Sequence, residues 1–198
     1  MIGGRLNRGN LVGNTKSNNM NEAHTDKILE VAYLSQYRDI SDTLNAHRAC
    51  GFTCIKMVLD YYKRESESLE DLVSKYIVDE EAYGAAGWKH DFFVDLLKSF
   101  GLGAFRKEKM VEQSDLFEIR GSIEKGYPVL ASVEQKLFDK RMFHIVLIIG
   151  TRTNEDGELL GFFYNDPGRL REETGAKQYV TKEDFLEYWR KMAIFTNS

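Results

Sequence analysis

The chain has 198 residues, 42% hydrophobic and 29% charged, a composition that fits one ordinary globular domain with its own core. A formal net charge of −4 without any run of Lys and Arg argues against a general role on nucleic acid or on an anionic membrane surface. Two cysteines only four residues apart cannot clip a long loop, so a disulfide scaffold is excluded and a reducing compartment is the simpler reading; no run of ~18 apolar residues marks a membrane span. Residues 1–27 are rich in Asn, Gly, Ser and Lys and predict a flexible arm or, in part, an expression remnant, with Met20 an alternative start and His24 exposed and inert. The arm begins without the apolar stretch of a secretory signal, so a cytoplasmic location is expected, export by another route being left open.

A single domain over residues 28–198 follows. Residues 31–36 read as an extended entry segment. A helix from about Cys50 to Lys63 places Cys54, Ile55, Val58, Leu59 and Tyr62 on one face. Ser68 caps a helix running to about Ile77, and residues 79–87 form a loop. Phe92, Phe93, Leu96 and Leu97 share the face of a helix over 89–100 that Gly101 stops, and a further helix spans 114–125. The Glu and Lys residues of 106–118 read as a solvated face. Then the texture turns to strands: 128–133, the apolar run 143–150, an Asn-Glu-Asp-Gly turn, and 159–165 broken by Asp166-Pro167-Gly168. Thr181 caps a last helix carrying Phe185, Tyr188 and Trp189. Helices first and strands later make the fold class α+β, with no internal repeat.

The chemistry centres on Cys50. It opens a helix, where backbone N–H groups favour a thiolate and lower the thiol pKa. Such a nucleophile needs a base and a group to orient that base. In an antiparallel hairpin turning near Glu155 or Asp156, His144 and Asp166 fall at neighbouring positions on adjacent strands, within hydrogen-bond reach if they share a face. Asn165 is the fallback orienter. The backbone N–H of Cys50 and the side-chain amide of Gln36 are candidate donors to an oxyanion.

In order, Tyr33-x-Ser35-Gln36, Ala49-Cys50-Gly51-x-x-Cys54-x-x-Met57-x-Leu59, Gly126-x-Pro128-Val129, His144 opening an apolar strand and Asn165-Asp166-Pro167 resemble the papain-like cysteine peptidases of the bacteriocin-processing, double-glycine type. The resemblance covers about residues 30–192. It implies a papain-like fold, a helical half bearing the nucleophile packed on an antiparallel sheet. It also implies Cys50 as nucleophile, His144 and Asp166 as its partners and Gln36 in the oxyanion hole. Phe52 departs from the Pro or small residue usual there, and no transporter domain follows in this sequence.

The expected activity is therefore thiol hydrolysis of a peptide or amide bond through an acyl-enzyme thioester. The partner is a peptide or protein substrate, without cofactor, metal or nucleic acid, and the oligomeric state is open. Acyl or peptidyl transfer on the same site and an idle peptide-binding domain are the alternatives. Cys54 reads as core, His47 as a surface loop residue, His90 as structural or exposed and Trp189 as a core brace. A metal site from His47, Cys50 and Cys54 has the wrong spacing for paired-cysteine knuckles.

Overall fold

The computed structural model describes residues 23–78, 82–84, 87–111, 114–137 and 140–198, with backbone alone at 135–137 and 140–142. The expected arm ends earlier than residue 27, because His24–Ile28 form strand β1; most of the arm, Met20 included, lies outside the described residues. Hydrophobic periodicity missed β1 because its residues are largely exposed: it is held by backbone pairing and by Asp26 accepting a two-pronged hydrogen bond from Arg152.

Four of the helices follow the sequence pattern. Helix α2, Cys50–Tyr61, is buried on most of its length, as a helix under a sheet must be. Ser68 accepts from Asp71 N–H to start α3, Leu69–Tyr76. Helix α4, His90–Ser99, ends at Gly101, whose φ of +76° suits a residue without Cβ. Helix α5 is Ser114–Glu124. A short helix α1, Thr43–Ala46, stands in what sequence reads as loop, nucleated by Asp42 accepting from Leu44 and Asn45 N–H. The expected loop 79–87 lies partly outside the described residues; within it, β2 (Tyr83–Gly84) and β3 (Gly87–Trp88) make a small antiparallel pair.

The main sheet is antiparallel. Its order is β4 (Gly103–Lys107), β9 (Trp189–Asn197), β5 (Val129–Leu137), β6 (Lys140–Asn154), β7 (Leu159–Asn165) and β8 (Gln178–Thr181), with β1 added to β6. Part of the expected solvated face is thus the edge strand β4, where Arg106 and Lys107 are the charges that guard an exposed strand edge. The last helix, α7, is only Lys182–Tyr188; Trp189 opens β9 instead of continuing it. A four-residue helix, α6 (Glu172–Gly175), completes the chain order. The core lies between α2 and the sheet, filled by Ile55, Met57, Val58 and Leu59 from the helix and Ile145, Leu147 and Ile149 from β6.

Candidate active site

Cys50 is the first residue of α2 and half-buried, whereas Cys54, one turn on, is fully buried. What fixes α2 in depth is Gly51. A Cβ there would overlap the Phe93 ring of α4, so only glycine lets the two helices approach this closely. Phe52, the residue that departs from the family pattern, fills an aromatic cluster with Trp88, Phe92 and Phe93.

His144 sits in β6 opposite Val133 of β5. Across the other edge Leu147 pairs with Asn165, so Asp166 comes one position further, beside Val146, which shares the face of His144. His144 Nε2 and Asp166 Oδ1 are 2.6 Å apart. Asp166 Oδ1 also accepts from Gly168 N–H at 2.9 Å, and its Oδ2 from Arg169 Nε at 3.0 Å. With Nε2 engaged by the carboxylate, Nδ1 is the nitrogen left for sulfur, and the Cys50 thiol hydrogen-bonds this same imidazole.

Electrostatics follow from those contacts. Burial works against a Cys50 thiolate, but the hydrogen bond and charge of His144, with N–H groups of Ile145 and Gly51 directed at sulfur, hold its pKa below the ordinary thiol value. Burial likewise opposes an imidazolium, yet Asp166 and Cys50 raise the His144 pKa. Asp166, despite burial, stays below the usual carboxylate range because His144, Gly168 and Arg169 favour its charge. Cys54 goes the other way: burial and the nearby negative groups push its thiol well up, and its Sγ–H donates to Ile145 O. It is core, as expected.

Gln36 is delivered by a folded turn. Ser35 N–H donates to Asp39, and Ser35 Oγ accepts from Tyr37 and Arg38 N–H. Gln36 N–H then donates to Pro167 O at 2.9 Å, which fastens the turn to the Asp166 loop. Its side-chain Nε2 donates to Ala46 O at 2.7 Å, and this sets the amide orientation, since the flipped amide would oppose two oxygens. Gln36 is thereby buried between Ala46 and Pro167 with one Nε2–H uncommitted to Ala46. Among the described residues Oε1 has no partner.

Other sequence candidates fall elsewhere. Asn165, the fallback orienter, points to the opposite face: its Nδ2 contacts Met57 Sδ and its Oδ1 accepts from Lys177 N–H. His47 is exposed, with Nδ1 3.3 Å from Tyr37 Oη. His90 is buried and lines a separate cavity with Trp88, Arg106 and Arg190. Among the described residues no three His, Cys, Asp or Glu side chains gather as a metal site would require. Sequence reading missed Arg169 and Gly168 as supports of Asp166. It also gave no role to Tyr33, whose hydroxyl donates to the carbonyls of Asp166 and Arg169 across more than 130 residues. The Tyr33 ring in turn occupies the space a Cβ on Gly175 would need.

The model of the Peptidase_C39 like family matches residues 28–194. The chain belongs to that family. Solved structures agree in fold. A C39-like peptidase from Bacillus anthracis superposes with a TM-score of 0.61 at 16% identity, over 88% of this chain and 98% of that one. A double glycine motif protease from an AMS/PCAT transporter, in complex with its leader peptide, gives 0.53 at 16% identity, over 86% and 94%. UfSP from C. elegans gives 0.53 at 13% identity, over 90% of this chain but 35% of that one. No curated protein matches the chain. The expected papain-like α+β architecture is therefore the fold of this C39-like chain, and the family is one of cysteine peptidases. Among the described residues no helix is long and apolar enough to cross a membrane.

Proposed function

We propose that this C39-like chain is a thiol peptidase with Cys50 as nucleophile, His144 as base and acid, Asp166 as orienter and Gln36 as oxyanion donor. The observation that carries the reading is the single imidazole shared by the Cys50 thiol and the Asp166 carboxylate, the latter at 2.6 Å. In the resting pair the proton resides on His144 and the negative charge on Cys50 sulfur. Sγ attacks the scissile carbonyl carbon, forming a C–S bond while the carbonyl π pair moves onto oxygen. That oxyanion accepts from the Cys50 N–H and from the Gln36 Nε2–H not held by Ala46. As the C–N bond breaks, the imidazolium gives its proton to the leaving amine. Water, deprotonated by the neutral imidazole, then attacks the thioester carbon, the C–S bond breaks, the new C-terminal acid leaves, and the thiolate–imidazolium pair is restored. Asp166 keeps the Nε2–H pointing at itself, so Nδ1 always faces sulfur.

The proposed substrate is a peptide or protein segment, by likeness to the neighbour that holds a leader peptide. The test is digestion of a proteome-derived peptide library in water enriched in heavy oxygen, with new termini read by mass spectrometry. Hydrolysis predicts new C-termini that carry the label in the native chain and none with Cys50→Ala. Cleavage surviving in Cys50→Ala contradicts the assignment, and joined peptides without label favour transfer over hydrolysis.

A further inference from the structure

Asp166 opens the turn Asp166-Pro167-Gly168-Arg169, which Arg169 N–H closes by donating to Asp166 O at 3.2 Å. Proline at the second position presets the backbone for such a turn. The Asp166 side chain is caught from within it, Oδ1 by Gly168 N–H and Oδ2 by Arg169, while Oδ1 also meets His144. The peptide units of 166–169 therefore set the direction of the carboxylate.

Those units are gripped from the entry segment. Tyr33, buried, shares its one hydroxyl hydrogen between Asp166 O, at 2.9 Å, and Arg169 O. Three residues on, Gln36 N–H donates to Pro167 O. The N–H of Asp166 donates to Gly175 O at 2.8 Å, and a Cβ on Gly175 would collide with the Tyr33 hydroxyl oxygen. The phenol thus braces the Asp166 backbone twice, at its carbonyl directly and at its N–H through Gly175. A core tyrosine needs a partner for its hydroxyl, but any buried acceptor would serve. Here both acceptors belong to the turn that aims the proposed orienter.

We infer that Tyr33 is a positioning residue of the proposed triad: through the 166–169 turn its hydroxyl holds the Asp166 carboxylate against His144. The inference rests on the thiol-peptidase reading above. Burial and the Asp166 charge push the Tyr33 phenol up to about 12, so it remains a donor wherever a thiol titrates. The charged groups about the pair are Cys50 on α2, Arg169 in the turn, and Glu134 and Asp184 in the cavity wall shared with His144 and Asp166. Tyr33→Phe removes none of them and keeps the ring.

The test follows iodoacetamide alkylation of Cys50 against pH by mass spectrometry, in the full chain and in Tyr33→Phe, Asp166→Asn and their double variant, with melting temperatures alongside. A looser carboxylate supports the imidazolium less, so the reactivity midpoint of Tyr33→Phe should move up toward the free-thiol value. At a fixed pH below the native midpoint its alkylation should be roughly twofold to tenfold slower, the range that one lost hydrogen bond supports. In the Asp166→Asn background Tyr33→Phe should add nothing, because the group it acts through is gone. If Tyr33→Phe does not fold, Gly175→Ala, which pushes the same hydroxyl off its acceptors, should move the midpoint the same way. A merely structural tyrosine lowers the melting temperature and leaves the midpoint in place, which overturns the inference; so does an effect that persists in full beside Asp166→Asn. His144→Ala separates the two levels. A low native midpoint that depends on His144 but not on Tyr33 overturns the positioning role alone. An ordinary native midpoint, indifferent to His144→Ala, overturns the peptidase reading and the positioning role with it.

Discussion

Two cysteines one helical turn apart differ in almost every respect that matters for reactivity. Cys50 has an imidazole and two backbone N–H groups at its sulfur, and Cys54 has a carbonyl and a dry core. The proposed roles predict that Cys50→Ala and His144→Ala each abolish turnover with the melting temperature little changed, whereas Cys54→Ala leaves most turnover in place. Loss of activity in Cys54→Ala at intact fold would contradict this. Gly168 offers a subtler test. A Cβ there would lie 3.1 Å from both Asp166 Oδ1 and His144 Cε1, so Gly168→Ala must push the imidazole by a few tenths of an ångström. A displacement of that kind should cost about tenfold in kcat and leave stability nearly untouched, read by steady-state kinetics and thermal melting. Thiol, imidazole and carboxylate in that order are what suggested the proposed triad, and the contact between His144 and Asp166 was legible in the chain because the hairpin brings the two together. The supports were not. Arg169, Gly168 and Tyr33 act through loop contacts, and no local pattern records that Tyr33 meets a carbonyl at position 166.

At the level of elements, periodicity worked where one face is buried along its whole length, as in α2, α4 and β7. It failed where pairing alone decides. β1 is exposed, β4 carries edge charges, and β9 begins at Trp189, directly after a seven-residue helix whose apolar residues read on into it. Asn165 shows how finely the pleat discriminates: it adjoins Asp166, yet its side chain meets Met57 of α2 while that of Asp166 meets His144. The contact between Gly51 and Phe93 gives the element-scale prediction. Gly51→Ala forces α2 and α4 apart and should destabilise the chain by about 1–3 kcal/mol. Phe93→Leu in the same chain should recover part of that loss, because the two residues share one contact. Chemical denaturation of the two single variants and the double variant checks it. Simple additivity would contradict the packing argument. At α3, Ser68→Ala removes the hydroxyl that Asp71 N–H uses and should cost about 1 kcal/mol.

The whole molecule is stitched from distant parts of the chain. β1 pairs with β6, β4 from the middle pairs with β9 at the C-terminal end, and the Gln36 turn is tied to Pro167. The helix that bears Cys50 and the strand that bears His144 bury one continuous core. The two halves of the proposed site therefore have no independent stability, and calorimetry should record one unfolding transition; two resolved transitions would contradict this. The same architecture is what brings the proposed base at position 144 to the proposed nucleophile at position 50. The measurement that tests this most directly is the pH dependence of Cys50 alkylation by iodoacetamide, with His144→Ala as control. His144, its pKa raised, stays protonated while Cys50, its pKa lowered, has already lost its proton, so the reactive ion pair should form below the free-thiol value of about 8.5. The account predicts a midpoint below that value in the native chain and a return toward it in His144→Ala. A midpoint near the free-thiol value in the native chain, unmoved by His144→Ala, would contradict the account.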